Sequence, residues 1–170
     1  MIVATGQYRV AVYTGSFDPF HLGHENVVRR AVRIVDRVVI GVGDNPDKAP
    51  IFTAEERVEM IRQVIKDLPT VAVKAYAGLS VRFAREQNAA VVLRGIRALS
   101  DIEYEFTMTL SNASLDPGLE TVFLMAQKEY SHLSSSLIRQ IARFGGDLEG
   151  FVPPAIQERL RRKFAERGDD

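Results

Sequence analysis

The sequence contains no cysteine, no excess of charge of either sign and no long apolar run. Without cysteine the chain forms no disulfides and has no thiolate chemistry, which is compatible with a reducing cytoplasm. The 22 basic side chains equal the 22 acidic ones in number, which argues against bulk electrostatic binding to nucleic acid or to an anionic membrane surface. No apolar stretch approaches the ~20 residues that cross a membrane. We therefore expect a soluble, cytoplasmic protein that binds neither nucleic acid nor membranes.

Two common nucleotide-binding motifs are also missing. No G-x-G-x-x-G follows the first predicted strand, which argues against a dinucleotide oxidoreductase, and no GxxxxGK[ST] occurs, which excludes a P-loop hydrolase. Residues 1–7 lack the basic and apolar regions of a signal peptide. A chain of 170 residues with 46% hydrophobic content suits one core. We expect a single domain over 1–170, with frayed tails at 1–7 and 165–170.

The first informative stretch is a strand, a glycine-containing turn and a helix. A β-branched run at 10–12 predicts the strand, and apolar spacing over 25–35 predicts the helix. A helix N-terminus at such a turn presents unpaired N–H groups and a partial positive charge to a phosphate. His21 and His24 lie there and can donate hydrogen bonds to phosphate oxygens. A plain structural turn and a zinc site are the weaker interpretations; zinc needs further ligands, and His132 is the only other histidine.

The remaining chain alternates strands and helices. Apolar runs at 37–43, 71–76, 90–93 and 121–125 predict buried parallel strands, because both faces of each run are apolar. Thr53 and Glu56 have capping-box spacing, which predicts the start of the second helix. Further helices are predicted over 80–87, 98–114 and 137–144, and a last one opens at Pro153–Pro154. This order predicts an α/β fold: a Rossmann-like, doubly wound five-stranded parallel sheet with helices on both faces.

Basic residues follow two predicted strands, at the sheet edge where α/β proteins bind ligands. Lys48 follows the second strand in a turn-rich loop, and its alternative interpretation is a solvated lysine. Arg94 and Arg97 end the fourth strand, and arginine suits bidentate contact with phosphate. Their structural alternative is pairing with Asp101 or Glu103. We favour a phosphate clamp formed by the two arginines.

Two later segments have open interpretations. The serines at 134–136 precede a predicted helix, so they are either N-caps or the lining of a second phosphate-binding helix N-terminus. The predicted helix at 98–114 has one apolar face, which is either core or a subunit contact.

Four separated segments together resemble one enzyme family. The first, shared by the nucleotidyltransferases with an (H/T)xGH signature, is Tyr-Thr-Gly-Ser-Phe-Asp-Pro with Gly23-His24. The others are Asn45-Pro46-x-Lys48 with Phe52-Thr53-x-Glu55-Glu56-Arg57, Leu93-Arg94-Gly95-Ile96-Arg97 with Asp101-x-Glu103-Tyr104-Glu105, and Lys128-Glu129-Tyr130-Ser131 with Ser134-Ser135-Ser136. The last two segments carry the specificity. Over residues 9–163 the chain resembles the phosphopantetheine adenylyltransferases of bacterial coenzyme A synthesis.

The resemblance implies a reversible transfer of AMP from ATP to 4′-phosphopantetheine, giving dephospho-CoA and pyrophosphate. It also implies Mg²⁺ as cofactor, direct in-line attack without a covalent intermediate, and a homohexamer. Such chemistry needs positioning and charge stabilisation more than a base.

The resemblance also implies roles for individual residues. The implied catalytic residues are His24, which would stabilise charge on the α-phosphate, with Ser16, Lys48 and Arg94. Phosphopantetheine would contact Ser16, Lys48, Leu79, Ser80, Arg94, Tyr104 and Asn112. ATP would contact Ser16, Phe17, His24, Gly95, Ile96, Arg97, Glu105, Tyr130, Ser131, His132, Leu133, Ser134, Ser135 and Ser136. No direct metal ligand is implied.

Two positions depart from the family pattern. His21 stands where many members have threonine or asparagine, and a histidine there is more usual in nicotinate or nicotinamide mononucleotide adenylyltransferases. His132 stands where another aromatic residue is commoner. A mononucleotide adenylyltransferase and a non-catalytic nucleotide-binding regulator are therefore the alternative functions.

Overall fold

The computed structural model describes residues 8–44 and 49–167, without the side chains of Leu99, Ser100, Tyr104 and Arg167. Lys48, the predicted tail at 1–7 and residues 168–170 lie outside this part of the chain. The strands are β1 (Val10–Gly15), β2 (Arg37–Asp44), β3 (Val71–Ala77), β4 (Val91–Ile96) and β5 (Glu120–Met125). The helices are α1 (Leu22–Ala31), α2 (Ala54–Val64), α3 (Ser80–Glu86), α4 (Leu99–Leu115), α5 (Ser135–Arg143) and α6 (Pro154–Arg167), with a 3-10 turn at Lys128–Tyr130.

The strands form one parallel sheet in the order β3-β2-β1-β4-β5. Tyr13 of β1 lies between Ile40 of β2 and Leu93 of β4. The direction in which strands are added reverses between β1 and β4. At such a switch point the carboxyl ends of the strands leave a crevice for a ligand. The predicted five-stranded parallel α/β sheet is confirmed.

Alternate residues of β1 pack into two hydrophobic cores on opposite faces of the sheet. Ala11 and Tyr13 belong to the larger core, which contains residues of α1, α2, α5 and α6. Val10 and Val12 belong to the smaller core, together with Phe83 of α3. Because successive side chains of a strand point to opposite faces, helices cover both sides of the sheet, as predicted. No helix among the described residues is long and apolar enough to cross a membrane.

Helix α1 begins and ends earlier than the predicted range of 25–35. It begins at Leu22 because His21 caps it, its Nδ1 accepting a hydrogen bond from the backbone N–H of His24. It ends at Ala31. Val32 and Val35 lie beyond the helix and still pack against the larger core, which explains why the apolar spacing suggested a longer helix.

Strand β4 is longer than the predicted 90–93. Residues Arg94–Ile96 continue the parallel pairing, opposite Phe123–Met125 of β5. Arg94, which the sequence places at the end of the predicted strand, lies within the strand. Its position is therefore held by backbone pairing and not by a loop.

One helix begins where the sequence predicts, and two others differ from the prediction at one end. The predicted capping box of α2 is confirmed: Thr53 Oγ1 accepts from the Glu56 N–H at 3.2 Å, and a Glu56 carboxylate oxygen accepts from the Thr53 N–H at 2.8 Å. Helix α5 begins two residues earlier than predicted because the Ser134 side chain caps it. Helix α6 continues to Arg167, so residues 165–167 are helical where we expected a frayed tail.

Glycine is required within β2 at position 41. A Cβ atom there would lie 2.5 Å from Cε1 of Phe83, a buried ring that also stacks on Tyr76 with centroids 4.6 Å apart. We expect Gly41→Ala to lower the free energy of unfolding by about 1–3 kcal/mol, because the core must give way. Urea unfolding measures this loss.

Gly43→Ala, on the same strand, is the matched control. Its Cβ would meet its nearest neighbour, the Tyr76 hydroxyl, at 3.5 Å, which is ordinary contact. Both substitutions reduce the entropy of the unfolded chain alike, so the difference between them isolates the clash with Phe83. Equal unfolding free energies for the two variants would contradict this account.

Candidate active site

A cavity of about 540 Å³ opens at the carboxyl ends of β1 and β4, where the sheet reverses its direction of growth. Its wall combines the turn between β1 and α1, the end of β4, and the start of α5. The structure brings eleven of the predicted site residues together here. They are Ser16, Phe17, His24, Arg94, Gly95, Arg97, Glu105, Tyr130, Ser134, Ser135 and Ser136.

The other predicted site residues whose side chains the structure describes do not line this cavity. Ile96, Leu133 and Asn112 are buried in the fold, and Leu79 is exposed at the start of α3, next to Ser80. His132 packs edge-on against Phe151, and the Ser131 hydroxyl donates to the Lys128 carbonyl. Lys48 and the Tyr104 side chain lie outside the described residues. The contacts of all these residues with a ligand stay predictions.

The two histidines of the turn hold each other by hydrogen bonds to the backbone. The Nδ1 atom of His21 accepts from the His24 N–H at 3.3 Å, and the Nδ1 atom of His24 accepts from the His21 N–H at 3.2 Å. The two rings stack with centroids 3.5 Å apart. Because each Nδ1 is an acceptor, each neutral ring carries its hydrogen on Nε2.

Gly23 makes this stacking possible. A Cβ atom at position 23 would lie 3.0 Å from both Nδ1 and Cε1 of His21. Any larger residue would therefore push the His21 ring away from its place under His24. This explains physically why a glycine stands between the two histidines.

Burial keeps both histidines uncharged. The His24 ring lies 5.0 Å from Phe17 and 5.4 Å from Phe20, measured between centroids, and its pKa falls well below the usual value through burial, with smaller effects from His21 and Arg97. Burial, with a smaller effect of Arg97, lowers the pKa of His21 to about 3. His24 therefore presents a neutral ring at the cavity, which can donate a hydrogen bond from Nε2 but carries no extra proton to transfer.

Two arginines of the cavity are held by carboxylates. Arg94 makes a bidentate ion pair with Glu105, with Nη2 donating to Oε1 at 2.6 Å, and its Nη1 donates to the Thr14 carbonyl at 3.0 Å. Arg97 pairs with Asp101 at 3.1 Å. The sequence predicts Asp101 or Glu103 as structural partners of the arginines. Asp101 is the partner of Arg97, whereas Arg94 pairs with Glu105 and not with Glu103. Both guanidinium groups are thus oriented before a phosphate arrives.

Of the two interpretations of the serine segment, the N-cap is confirmed for Ser134, and binding of a phosphate stays a prediction. Ser134 is the N-cap of α5, its hydroxyl accepting from the Leu137 N–H at 3.2 Å. Ser135 donates to the Pro19 carbonyl at 2.8 Å and so docks α5 against the first turn. Ser134, Ser135 and Ser136 all line the cavity. The helix N-terminus of α5 therefore faces the same space as that of α1.

The cavity wall also contains three buried or half-buried charged residues whose role the sequence did not indicate. Asp18 is 3% exposed. Its carboxylate accepts hydrogen bonds from the Ile51 N–H at 2.9 Å and from the Phe52 N–H at 3.2 Å. Arg139 donates to the Asp18 carbonyl at 2.6 Å. Arg57 is the third. Asp18 and Arg57 stand in motifs that resemble the family, and no sequence signal marked Arg139.

Because His21 is buried as a neutral ring, the free energy of unfolding depends on pH. The unfolded ring binds a proton below a pKa of about 6.5, whereas the folded ring stays neutral down to about 3, so stability falls as the pH drops from 7 through this window. Between pH 7 and pH 5 we expect His21 to account for a loss of about 2 kcal/mol. His21→Asn, which retains a good N-cap, should lose less over that interval in urea unfolding. An unchanged pH dependence in the variant would contradict the burial argument.

One family model and two sequence relatives match most of this chain. The family model of cytidylyltransferase-like proteins matches residues 12–141. The phosphopantetheine adenylyltransferase of Desulforudis audaxviator is 50% identical over 161 residues, covering 95% of this chain and 99% of that protein. The phosphopantetheine adenylyltransferase of Moorella thermoacetica is 51% identical over 156 residues, covering 92% and 98%.

A solved structure shows the same fold at low identity. It is a bifunctional NMN adenylyltransferase/ADP ribose pyrophosphatase from Francisella tularensis, 19% identical, with a TM-score of 0.66. The match covers 95% of this chain and 54% of that protein, so this chain spans about half its length. By its sequence relatives and its fold, the chain belongs to the cytidylyltransferase-like family and, within it, to the phosphopantetheine adenylyltransferases.

Proposed function

We propose that this protein transfers AMP from ATP to 4′-phosphopantetheine, reversibly, giving dephospho-CoA and pyrophosphate. The observation that carries the proposal is the neutral Nε2–H of His24 at the mouth of α1, in a cavity that also holds two oriented arginines. Identity of about half to phosphopantetheine adenylyltransferases over nearly the whole chain supports the substrate assignment.

The reaction needs no base from the protein. An anionic phosphate oxygen of phosphopantetheine attacks the α-phosphorus of ATP, and the bond from that phosphorus to the bridging oxygen of the β-phosphate breaks. The electron pair leaves with pyrophosphate, so no proton has to move. The protein's task is to orient both substrates and to donate hydrogen bonds where negative charge grows. The Nε2–H group of His24 is the donor for the α-phosphate, since the backbone N–H groups of His21, Leu22 and His24 already donate within the protein.

The two substrates would use different walls of the cavity. Arg94 and Ser16, with Lys48, would hold the phosphate of phosphopantetheine, and the pantetheine arm would run toward Leu79, Ser80, Tyr104 and Asn112. The ATP side would comprise Ser16, which both substrates would contact, with Phe17, His24, Gly95, Ile96, Arg97, Glu105 and the segment Tyr130–Ser136. The ion pair between Arg94 and Glu105 joins the two walls. It therefore couples the placement of one substrate to that of the other.

Mg²⁺ fits this site as a partner of ATP. The described residues contain no group of three or more side chains that could hold a metal ion, and the carboxylates Asp18, Asp101 and Glu105 are engaged with protein donors. Mg²⁺ commonly binds through substrate phosphates and water, and it would neutralise charge on the phosphates of ATP. The cytoplasm, where ATP is supplied, remains the expected location.

The mononucleotide alternative rests on His21 alone. In this structure His21 caps α1 and supports His24, a role that does not depend on the identity of the acceptor substrate. The relatives named above favour phosphopantetheine. The mononucleotide is therefore retained as a comparison substrate in the assay.

The deciding assay measures pyrophosphate release from ATP and Mg²⁺, with 4′-phosphopantetheine and nicotinate mononucleotide offered separately. We expect release only with phosphopantetheine. His24→Ala removes the α-phosphate donor, so kcat should fall by about 10²–10³ while both KM values change little. Release with the mononucleotide alone would replace the proposed substrate, and ATP binding without release would favour the regulator. Near-normal turnover of His24→Ala would overturn the role of that residue.

We propose that the protein also assembles as a homohexamer, through α4 and the edge strand β5. Ile102, Phe106 and Leu110 are 41–56% exposed and recur every four residues, so they lie on one face of α4. Phe123 and Met125 are exposed on β5, two residues apart and therefore on one face of that strand. Exposed apolar residues grouped in this way typically mark a protein interface.

The assembly can be tested with one substitution. Phe106→Glu places a charge in the apolar face of α4, so we expect smaller particles in sedimentation velocity. Phe144→Glu is the matched control, since Phe144 is 78% exposed at the end of α5 and lies outside the proposed contact. A monomeric wild-type protein, or a Phe106→Glu protein of unchanged size, would contradict this proposal.

A further inference from the structure

Arg57 is a buried charge for which the proposed reaction has no direct use. It lies in the first turns of α2, is 1% exposed and ranks among the largest fully buried side chains of the described residues. Asp44 is the only carboxylate within 4 Å in the described part of the chain, at 3.9 Å, and its side chain is 56% exposed. A buried charge without a close counter-charge is costly, so its position calls for an explanation.

The guanidinium group joins three segments of the chain through backbone carbonyls. Nη1 donates to the carbonyl of Ser16 at 2.6 Å and to that of Gly43 at 3.0 Å. Nε donates to the carbonyls of Phe52 and Thr53, at 3.1 and 3.2 Å. One side chain therefore connects the turn after β1, the end of β2 and the start of α2.

These contacts lie at the cavity. Ser16, Gly43 and Arg57 all line it, and Lys48 follows Gly43 by five residues in the chain. Arg57 is not needed to start α2, because the reciprocal bonds of Thr53 and Glu56 already cap that helix. The bridge between Ser16 and Gly43 thus serves the cavity wall and not the helix.

We propose that Arg57 is a positioning residue for the phosphopantetheine side of the cavity, an inference that rests on the proposed function. It acts through Ser16 and through the end of β2, from which the chain continues to Lys48. Its hydrogen bonds go to backbone carbonyls and its Nη2 atom is buried, so we assign its effect to the segments that it joins. The planar fork suits this task because its donors point in fixed directions, which a lysine cannot reproduce.

The test compares the two KM values of Arg57→Lys with those of the wild-type protein. Lysine retains the charge and the stem but loses the fork that spans Ser16 and Gly43. We expect the KM for phosphopantetheine to rise about tenfold, as for one lost charged hydrogen bond, and the KM for ATP, which Ser16 would also contact, to rise clearly less. A merely structural role would lower the melting temperature without separating the two substrates.

Arg62→Lys is the matched control. Arg62 lies on the same helix and donates to a backbone carbonyl, that of Val73 at 2.9 Å, but it does not line the cavity. We expect wild-type KM values for both substrates in this variant. Arg57→Gln supplies a second replacement, and the double variant with Ser16→Ala should show a smaller effect than the two single changes combined.

Several results would contradict the positioning role of Arg57. Wild-type KM values in folded Arg57→Lys, an equal rise in both KM values, or additive effects with Ser16→Ala would overturn it. Unfolding of both Arg57 variants under conditions where Arg62→Lys is folded would make Arg57 a core residue only. A wild-type protein that releases no pyrophosphate with phosphopantetheine would overturn the proposed function and this inference together, whereas an active wild type without the KM separation overturns the inference alone.

Discussion

The reciprocal hydrogen bonds between His21 and His24 are the interaction on which the site depends. The same two bonds that begin α1 also occupy the Nδ1 atom of each ring, so the ring hydrogen of His24 stands on Nε2. The same hydrogen bonds therefore cap the helix and orient the proposed donor. Gly23 completes the arrangement because the His21 ring takes the space of its Cβ. A larger residue at position 23, or the loss of either ring, therefore removes this arrangement.

The electrostatics of the cavity follow from burial and pairing. Burial leaves His24 neutral, so in the proposed reaction it would stabilise developing charge by hydrogen bonding without adding a fixed charge. Arg94 and Arg97 are two of the fixed positive charges of the cavity, and each has a carboxylate that holds it in place. Orientation before binding reduces the reorganisation that substrate binding would otherwise require. A polyanionic substrate thus enters a site whose donors are already arranged.

The loops of the site are held by charged groups bonded to backbone atoms. Asp18 accepts from the segment before α2, Arg139 donates to the backbone of Asp18, and Arg57 joins the ends of β1 and β2. Loops contain backbone groups without regular partners, and buried ones must be satisfied. Here long side chains satisfy them from a distance of many residues. The result is a wall built from segments that are separate in sequence and joined by hydrogen bonds.

The sequence by itself determined the strand order along the chain, the capping box at Thr53, the parallel sheet and the family, because apolar runs, caps and motifs are local signals. Only the tertiary structure decided the partner of Arg94, the extension of β4 and the neutrality of His24. Glu105 is eleven residues from Arg94, and β4 extends because β5 pairs with it. Protonation and long-range pairing depend on burial and on contacts between distant segments, and these exist only once the chain is packed.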